Sequence, residues 1–128
     1  MKLNYLAPLV SIFILWSPLV YAELQPKYGG FIFEVGHDIA LLEVVHKPQE
    51  GVVLMYFSKP DNLTPLALDK PPRINLSTSK GRQQVKTSVT LNARPQLSQF
   101  FTQHDLLIGQ VKGEITVKIK GVHYLVKF

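Results

Sequence analysis

The stretch Glu114-Ile115-Thr116-Val117-Lys118-Ile119-Lys120 decides the fold class of this chain, because its apolar and polar residues alternate strictly. Successive side chains of a β-strand point to opposite faces, so this pattern predicts a strand with one buried and one solvated face. Residues 73–77 and 84–91 alternate in the same way. A period of two therefore predicts an all-β protein.

Four further apolar runs complete the predicted strands: residues 31–35, 39–46, 52–57 and 122–128. Short glycine-containing segments separate neighbouring runs and are typical of hairpin turns. About seven short strands connected in this way predict a single antiparallel β-sandwich, immunoglobulin-like in the broad sense, over residues 23–128.

Two segments do not fit the alternation. Residues 59–72 contain four prolines and cannot form a central strand, so we expect them to cross between two sheets. Residues 96–104 fit one helical turn or an irregular edge equally well.

The alternation also selects the expected core of the sandwich. Its members are Phe31, Phe33, Leu42, Val44, Val53, Met55, Phe57, Ile74, Leu76, Val85, Val89, Ile115, Val117, Ile119, Tyr124 and Val126.

Residues 1–22 have the layout of a secretory signal peptide. Lys2 precedes an uncharged, mostly apolar run at residues 6–16, Ser17-Pro18 breaks a helix, and Val20-Tyr21-Ala22 fits a cleavage site. The mature protein would then begin at Glu23 and work in the periplasm or outside the cell. A retained membrane anchor is the alternative, because residues 3–22 are uncharged and about 20 apolar residues can span a membrane.

Composition excludes several kinds of site. The chain has no cysteine, so disulfides, thiolate metal sites and cysteine nucleophiles cannot occur. Lys2 is the only charged residue of the leader, which leaves 13 basic and 9 acidic residues and a formal charge of +4 in the mature chain. The basic residues are spread along the sequence, so we expect solvated strand faces or weak attraction to an anionic envelope surface, and no nucleic-acid partner.

The segments YGGFIFEVG (residues 28–36), ALLEVV (residues 40–45) and VVLMYF (residues 52–57), followed by a proline-containing polar turn, carry a family resemblance. Their order resembles a small periplasmic domain found alone or beside the periplasmic adaptor subunits of heavy-metal efflux pumps. The resemblance covers most of residues 27–128 through two glycines, a glutamate and hydrophobic alternation. It implies a periplasmic β-sandwich connected with metal or envelope homeostasis.

The chain departs from that family at its polar positions. Several members carry a histidine before the glycine pair, where this chain has Tyr28. The turn after the third strand often contains Asp and His, and here Ser58-Lys59-Pro60-Asp61-Asn62 keeps only Asp61. A histidine metal ligand is therefore not carried over from the resemblance.

Two His-Asp pairs are the candidate metal ligands, His37 with Asp38 and His104 with Asp105. If their loops met at one end of the sandwich, two imidazoles and two carboxylates could bind Zn²⁺ or Cu²⁺. The pairs lie 67 positions apart in the sequence and form no H-x-H or H-x₃-H motif. Ordinary surface histidines are the alternative interpretation.

No catalytic motif points to an enzyme. The chain lacks G-x-S-x-G and H-E-x-x-H, and Glu34 and Glu43 could form a carboxylate pair on adjacent strands or simply face solvent. We therefore expect an exported, non-enzymatic binding module without a cofactor. Its expected partner is an unidentified envelope protein, and the module would be an accessory of an envelope or metal-efflux assembly. The alternative is a soluble periplasmic metal-binding protein, and an enzyme of another type comes third.

Overall fold

The computed structural model describes residues 24–90 and 97–128. The predicted leader, with its cleavage site after Ala22, lies outside the described residues. Within them, no helix has the length and apolar character needed to span a membrane. The strands are β1 (Phe31–Val35), β2 (Ala40–Lys47), β3 (Val52–Ser58), β4 (Arg73–Thr78), β5 (Gly81–Lys86), β6 (Ser88–Val89), β7 (Gln99–Gln103), β8 (Gly113–Ile119) and β9 (Val122–Lys127).

These nine strands form two antiparallel sheets. The first sheet has the order β1-β2-β3-β7-β6, and the second has the order β5-β4-β8-β9. The predicted all-β, antiparallel sandwich is confirmed, with nine strands in place of about seven. Residues 59–72 connect β3 of the first sheet to β4 of the second, as expected.

The two additional strands have separate origins. The run predicted as one strand at residues 84–91 passes from the second sheet (β5) to the first (β6) at Thr87. The buried Thr87 hydroxyl donates to the Pro72 carbonyl at 2.6 Å, and the Thr102 hydroxyl donates to the Lys86 carbonyl at 3.0 Å. These bonds hold the crossing strand in place. The other addition, β7, lies in the ambiguous stretch 96–104 and precedes a 3₁₀ turn at Asp105–Leu107.

Most of the predicted core is buried between the sheets. The confirmed members are Leu42, Val44, Val53, Met55, Phe57, Ile74, Leu76, Val85, Ile115, Val117, Ile119 and Val126. Phe33, Val89 and Tyr124 pack against this core and are partly buried.

Phe31 is the clear error in the predicted core, because 76% of its side chain is exposed. It takes the same face of β1 as the buried Val35, so the alternation is obeyed. Phe31 is, however, the first residue of an edge strand, and the second sheet does not cover it.

The core also contains residues that alternation did not select. These are Val35, Ala40, Leu41, Leu68, Phe100 and Leu107. Phe100 is fully buried and packs edge-to-face on Phe57, with ring centroids 5.8 Å apart. The adjacent Phe101 points to the other face of β7 and is 41% exposed.

The neighbouring phenylalanines of β7 give a matched stability test. Phe100→Ala should lower the free energy of unfolding by about 3–5 kcal/mol, because it leaves a cavity in the core. Phe101→Ala should cost about 1 kcal/mol or less, because that ring is partly exposed on the outer face and its removal leaves no cavity in the core. Urea denaturation of both variants measures the difference, and equal losses would show that the faces of β7 are wrongly assigned.

Candidate functional site

His37 and Asp38 lie in the turn between β1 and β2. The His37 Nε2 atom is 3.6 Å from the Asp38 carboxylate, and both side chains are almost fully exposed. Asp38 adopts a positive φ of 55°, a conformation that turns accept and strands do not. This pair therefore belongs to an exposed hairpin turn.

His104 and Asp105 occupy the start of the 3₁₀ turn after β7. The Nδ1 atom of His104 accepts a hydrogen bond from the Leu106 N–H at 3.0 Å and so caps the turn. The His104 backbone N–H donates to the Gly51 carbonyl at 2.9 Å, which places it beside the turn between β2 and β3.

The two His-Asp pairs lie at opposite ends of the sandwich. The eight residues of β2 separate the turn of His37 from the turn beside His104, a length of about 25 Å. The structure therefore does not bring His37, Asp38, His104 and Asp105 together. No group of three or more His, Asp or Glu side chains that could hold a metal ion occurs in residues 24–90 and 97–128.

Glu43 is a buried carboxylate that accepts three backbone hydrogen bonds. Its register partner on β3 is Tyr56, on the outer face of the first sheet, and yet only 5% of Glu43 is exposed. Its Oε1 accepts from the Lys27 N–H at 2.7 Å, and its Oε2 accepts from the N–H groups of Tyr28 and Gly30 at 2.8 and 3.0 Å. We call this arrangement, residues 27–30 held by Glu43, the Glu43 clamp.

The glycine pair allows the Glu43 clamp to close. Gly29 has a φ of 78°, which side chains rarely accept. A Cβ atom at Gly30 would overlap the Val44 carbonyl oxygen on β2. The two glycines and the glutamate that carry the family resemblance thus form one structural unit, in which the chain lies close against β2 before β1 begins.

Two tyrosines cover the clamp from solvent. The rings of Tyr28 and Tyr56 stack with their centroids 3.7 Å apart and their planes 9° from parallel. Burial raises the pKa of Tyr56, and the neighbouring Tyr28 and Glu43 raise it further. The adjoining cleft has a volume of only about 70 Å³, room for little more than water.

The Glu43 carboxylate is fully used in hydrogen bonds to the backbone. The register places Glu43 opposite Ile32 and Glu34 opposite Leu41, so the two carboxylates do not face each other as a pair. Both oxygens of Glu43 are occupied by backbone N–H groups. The clamp therefore holds the chain that leads into β1 and leaves no carboxylate oxygen free of hydrogen bonds.

Asp61, the residue retained in the polar turn, is likewise committed to its own loop. Its carboxylate accepts from the N–H groups of Leu63 and Thr64 at 2.8 and 2.9 Å and from the Thr64 hydroxyl at 2.7 Å. The hydrogen bonds from Thr64 and Leu63 lower the pKa of Asp61 to about 2. The carboxylate thus organises the turn that follows β3.

The two long sides of the sandwich differ. On one side the chain passes directly from β5 to β6 and joins the sheets. On the other side the edge strands β1 and β9 contact each other but do not pair. Each of these two strands therefore has one edge without a partner among the described strands.

An apolar groove of about 320 Å³ opens at one end of this unpaired side. Its walls include Gly30, Phe31, Phe33 and Val44 from the first sheet and the ring of Phe128 from the second. Phe128 exchanges two backbone hydrogen bonds with Gly113, of 3.0 and 3.1 Å, which hold the backbone from which its ring extends. Sequence reasoning assigned Phe31 to the core and therefore missed this groove.

Comparisons with known proteins found no relative of this chain. No protein-family model matches the chain, and neither a curated protein nor a solved structure matches it significantly. The resemblance to the small periplasmic domain of metal-efflux systems stays a prediction.

The Glu43 clamp can be tested by a near-isosteric substitution. Glu43→Gln should lower the free energy of unfolding by about 1–3 kcal/mol, because the new NH₂ group opposes backbone donors. Glu34→Gln, on the neighbouring strand, is the control and should change it by about 0.5 kcal/mol or less, because Glu34 is exposed. Urea denaturation and amide exchange at Tyr28 and Gly30 provide the measurements. A Glu43→Gln variant as stable as the control would show that the clamp contributes nothing.

Proposed function

We propose that this protein is an exported, non-enzymatic binding module that holds an extended segment of an envelope protein along the free edge of β1. The observation that carries the proposal is the 76% exposure of Phe31, at the mouth of an apolar groove beside an unpaired strand edge.

The composition of β1 supports its use as an acceptor edge. Natural proteins protect edge strands with lysine, proline or other devices that discourage pairing with another chain. The sequence FIFEV of β1 contains neither lysine nor proline, and Glu34 is its only charged residue. By contrast, β5 carries Arg82 and Lys86, and β9 carries Lys127. The edge of β1 is therefore the least protected of these three.

The groove supplies side-chain recognition beside the main-chain edge. A strand added to a sheet gains affinity from backbone hydrogen bonds and specificity from pockets for alternate side chains. The walls formed by Phe33, Val44 and Phe128 suit an apolar side chain of the incoming segment. Phe31 would be covered at the same time, which removes an exposed aromatic ring from water.

The state of the polar side chains favours binding over catalysis. Both oxygens of Glu43 and the Nδ1 atom of His104 accept hydrogen bonds from backbone N–H groups of this chain. Their hydrogen-bonding capacity therefore serves the fold.

The cellular setting of the proposal comes from the sequence. The leader at residues 1–22 has the features of an export signal, which supports a partner in the envelope. The resemblance to a periplasmic domain beside efflux adaptor subunits points to an envelope assembly such as a metal-efflux system as the source of the bound segment.

Site-specific photo-crosslinking in cells that export the protein tests this function. A benzoylphenylalanine at position 31 should give an adduct with one envelope protein. The same group at Leu63, which is 73% exposed in the loop after β3, is the control and should not give it. A synthetic peptide of the crosslinked segment should then shift backbone amide resonances of β1. Phe31→Ser should weaken the affinity of the protein for that peptide roughly 10- to 100-fold, since burying a phenylalanine contributes about 1.5–3 kcal/mol.

Three results would contradict the proposal. The first is the same adduct at both positions, and the second is an adduct only with another copy of this chain. The third is a peptide that binds Phe31→Ser as tightly as it binds the unaltered protein.

A further inference from the structure

The outer face of the second sheet gathers basic residues that are far apart in the sequence. The alternating partners Ile74, Val85, Ile115 and Val117 point into the core, so the residues between them point outward. We call this outward surface the basic face, and its charged members are Arg73, Arg82, Lys86, Lys118, Lys127 and Glu114. We propose that the basic face docks on the phosphate headgroups of an anionic lipid bilayer.

Most of these positive charges are not neutralised within the protein. Arg82 pairs with Glu114 at 3.0 Å, and this is the only ion pair of the face within the described residues. Arg73 donates to the neutral Gln84 Oε1 at 3.1 Å. Four cationic side chains therefore form no ion pair in the described structure, Arg73, Lys86, Lys118 and Lys127, although Lys127 lies across from Glu114 in the register.

The register brings like charges together on this face. Arg73 lies directly opposite Lys86, which is a pair of like charges, whereas Lys118 lies opposite the His123 imidazole and Lys127 lies opposite Glu114. Like charges in opposing cross-strand positions destabilise a sheet. An anion bound between them would relieve that repulsion, so the arrangement fits a surface that meets negative charge.

The shape of the basic face suits headgroups. A concavity of about 140 Å³ opens among Lys70, Arg73, Lys118 and His123, where several nitrogen-bearing side chains surround one space. The remainder of the face is polar: Asn75 donates to Thr116 at 2.9 Å and accepts from Gln84 at 3.0 Å.

Leu125 distinguishes a bilayer from other anionic partners. It lies opposite Thr116 on the basic face, and 53% of its side chain is exposed. Amphipathic surfaces that lie on membranes combine basic residues with apolar side chains that enter the headgroup region. Among the outward-pointing residues of β4, β5, β8 and β9, the face has no Phe, Tyr or Trp side chain on which a nucleic-acid base would stack.

The two faces of the sandwich also differ in charge. The outer face of the first sheet carries Glu34 and Glu43, with Lys47 at one end. Attraction to a bilayer acts within a Debye length of about 8 Å at physiological salt. The charge difference would therefore orient the protein with the second sheet toward the bilayer.

Vesicle flotation with the mature chain tests the proposal. Vesicles that contain phosphatidylglycerol should bind the protein, whereas pure phosphatidylcholine vesicles should not, and added salt should weaken binding. The double variant Lys86→Gln, Lys118→Gln should bind the anionic vesicles at least about tenfold more weakly. Its urea midpoint should be unchanged or higher, because Lys86→Gln removes the like-charge contact with Arg73 and Lys118 has no carboxylate partner to lose.

The matched control is Lys47→Gln, Lys59→Gln, which removes the same charge away from the basic face. It should keep its binding to anionic vesicles within about twofold, because distant exposed charges are screened. Equal losses in the two double variants would overturn the proposal in favour of net charge alone. Binding to phosphatidylcholine vesicles with the same affinity would also overturn it. So would saturable binding of inorganic phosphate or duplex DNA to the face without vesicle binding.

Discussion

A buried cross-strand row runs through the second sheet, from Val85 to Ile74 to Ile115 to Val126. All four side chains are buried against the first sheet. Because the side-chain period of a strand is two, a slip by one residue would move this row to solvent and turn Arg73 and Thr116 into the core. The slip would lose the favourable burial of the apolar row and would bury an unpaired charge at high cost, so this register is strongly specified. The burial of the core and the assembly of the basic face are therefore consequences of one pairing.

Glu43 departs from the alternation of the first sheet, because it lies on the outer face and is nevertheless buried. An outward-facing carboxylate is ordinarily solvated, but here three backbone N–H groups and a pair of stacked tyrosines cover it. The clamp fixes the chain immediately before β1 and so defines where the edge strand begins. Phe31 is the first residue of that strand, and the groove beside it depends on the position that Glu43 and Gly30 set.

Local pattern identified the elements of this fold because burial of one face imposes a period of two. The pattern could not reveal Phe100, since residues 97–101 contain too few alternating positions to mark a strand. The division of residues 84–91 at Thr87 was also hidden, because it depends on hydrogen bonds to Pro72 and Thr102 from distant segments. Phe31 is exposed because the second sheet does not cover it, and the sequence of β1 alone could not predict how far that sheet reaches.

Candidate sites were harder to predict than strands because they depend on long-range placement. The predicted metal ligands His37 and His104 lie apart because the length of β2 separates their turns. The basic residues appeared scattered in the sequence, and only the pairing of β4 with β5 and β8 places them on one face. The glycine pair and Glu43 were visible as a motif, but their hydrogen bonds were not.

The most direct measurement of the central constraint is a nuclear Overhauser spectrum of the isotope-labelled mature chain. The observed register predicts cross-strand backbone contacts of Arg73 with Lys86 and with Thr116, and of Ile115 with Val126. Contacts of Arg73 with Val85 and Ile115 in their place would show a register shifted by one residue. That result would contradict the assignment of the core and of the basic face together.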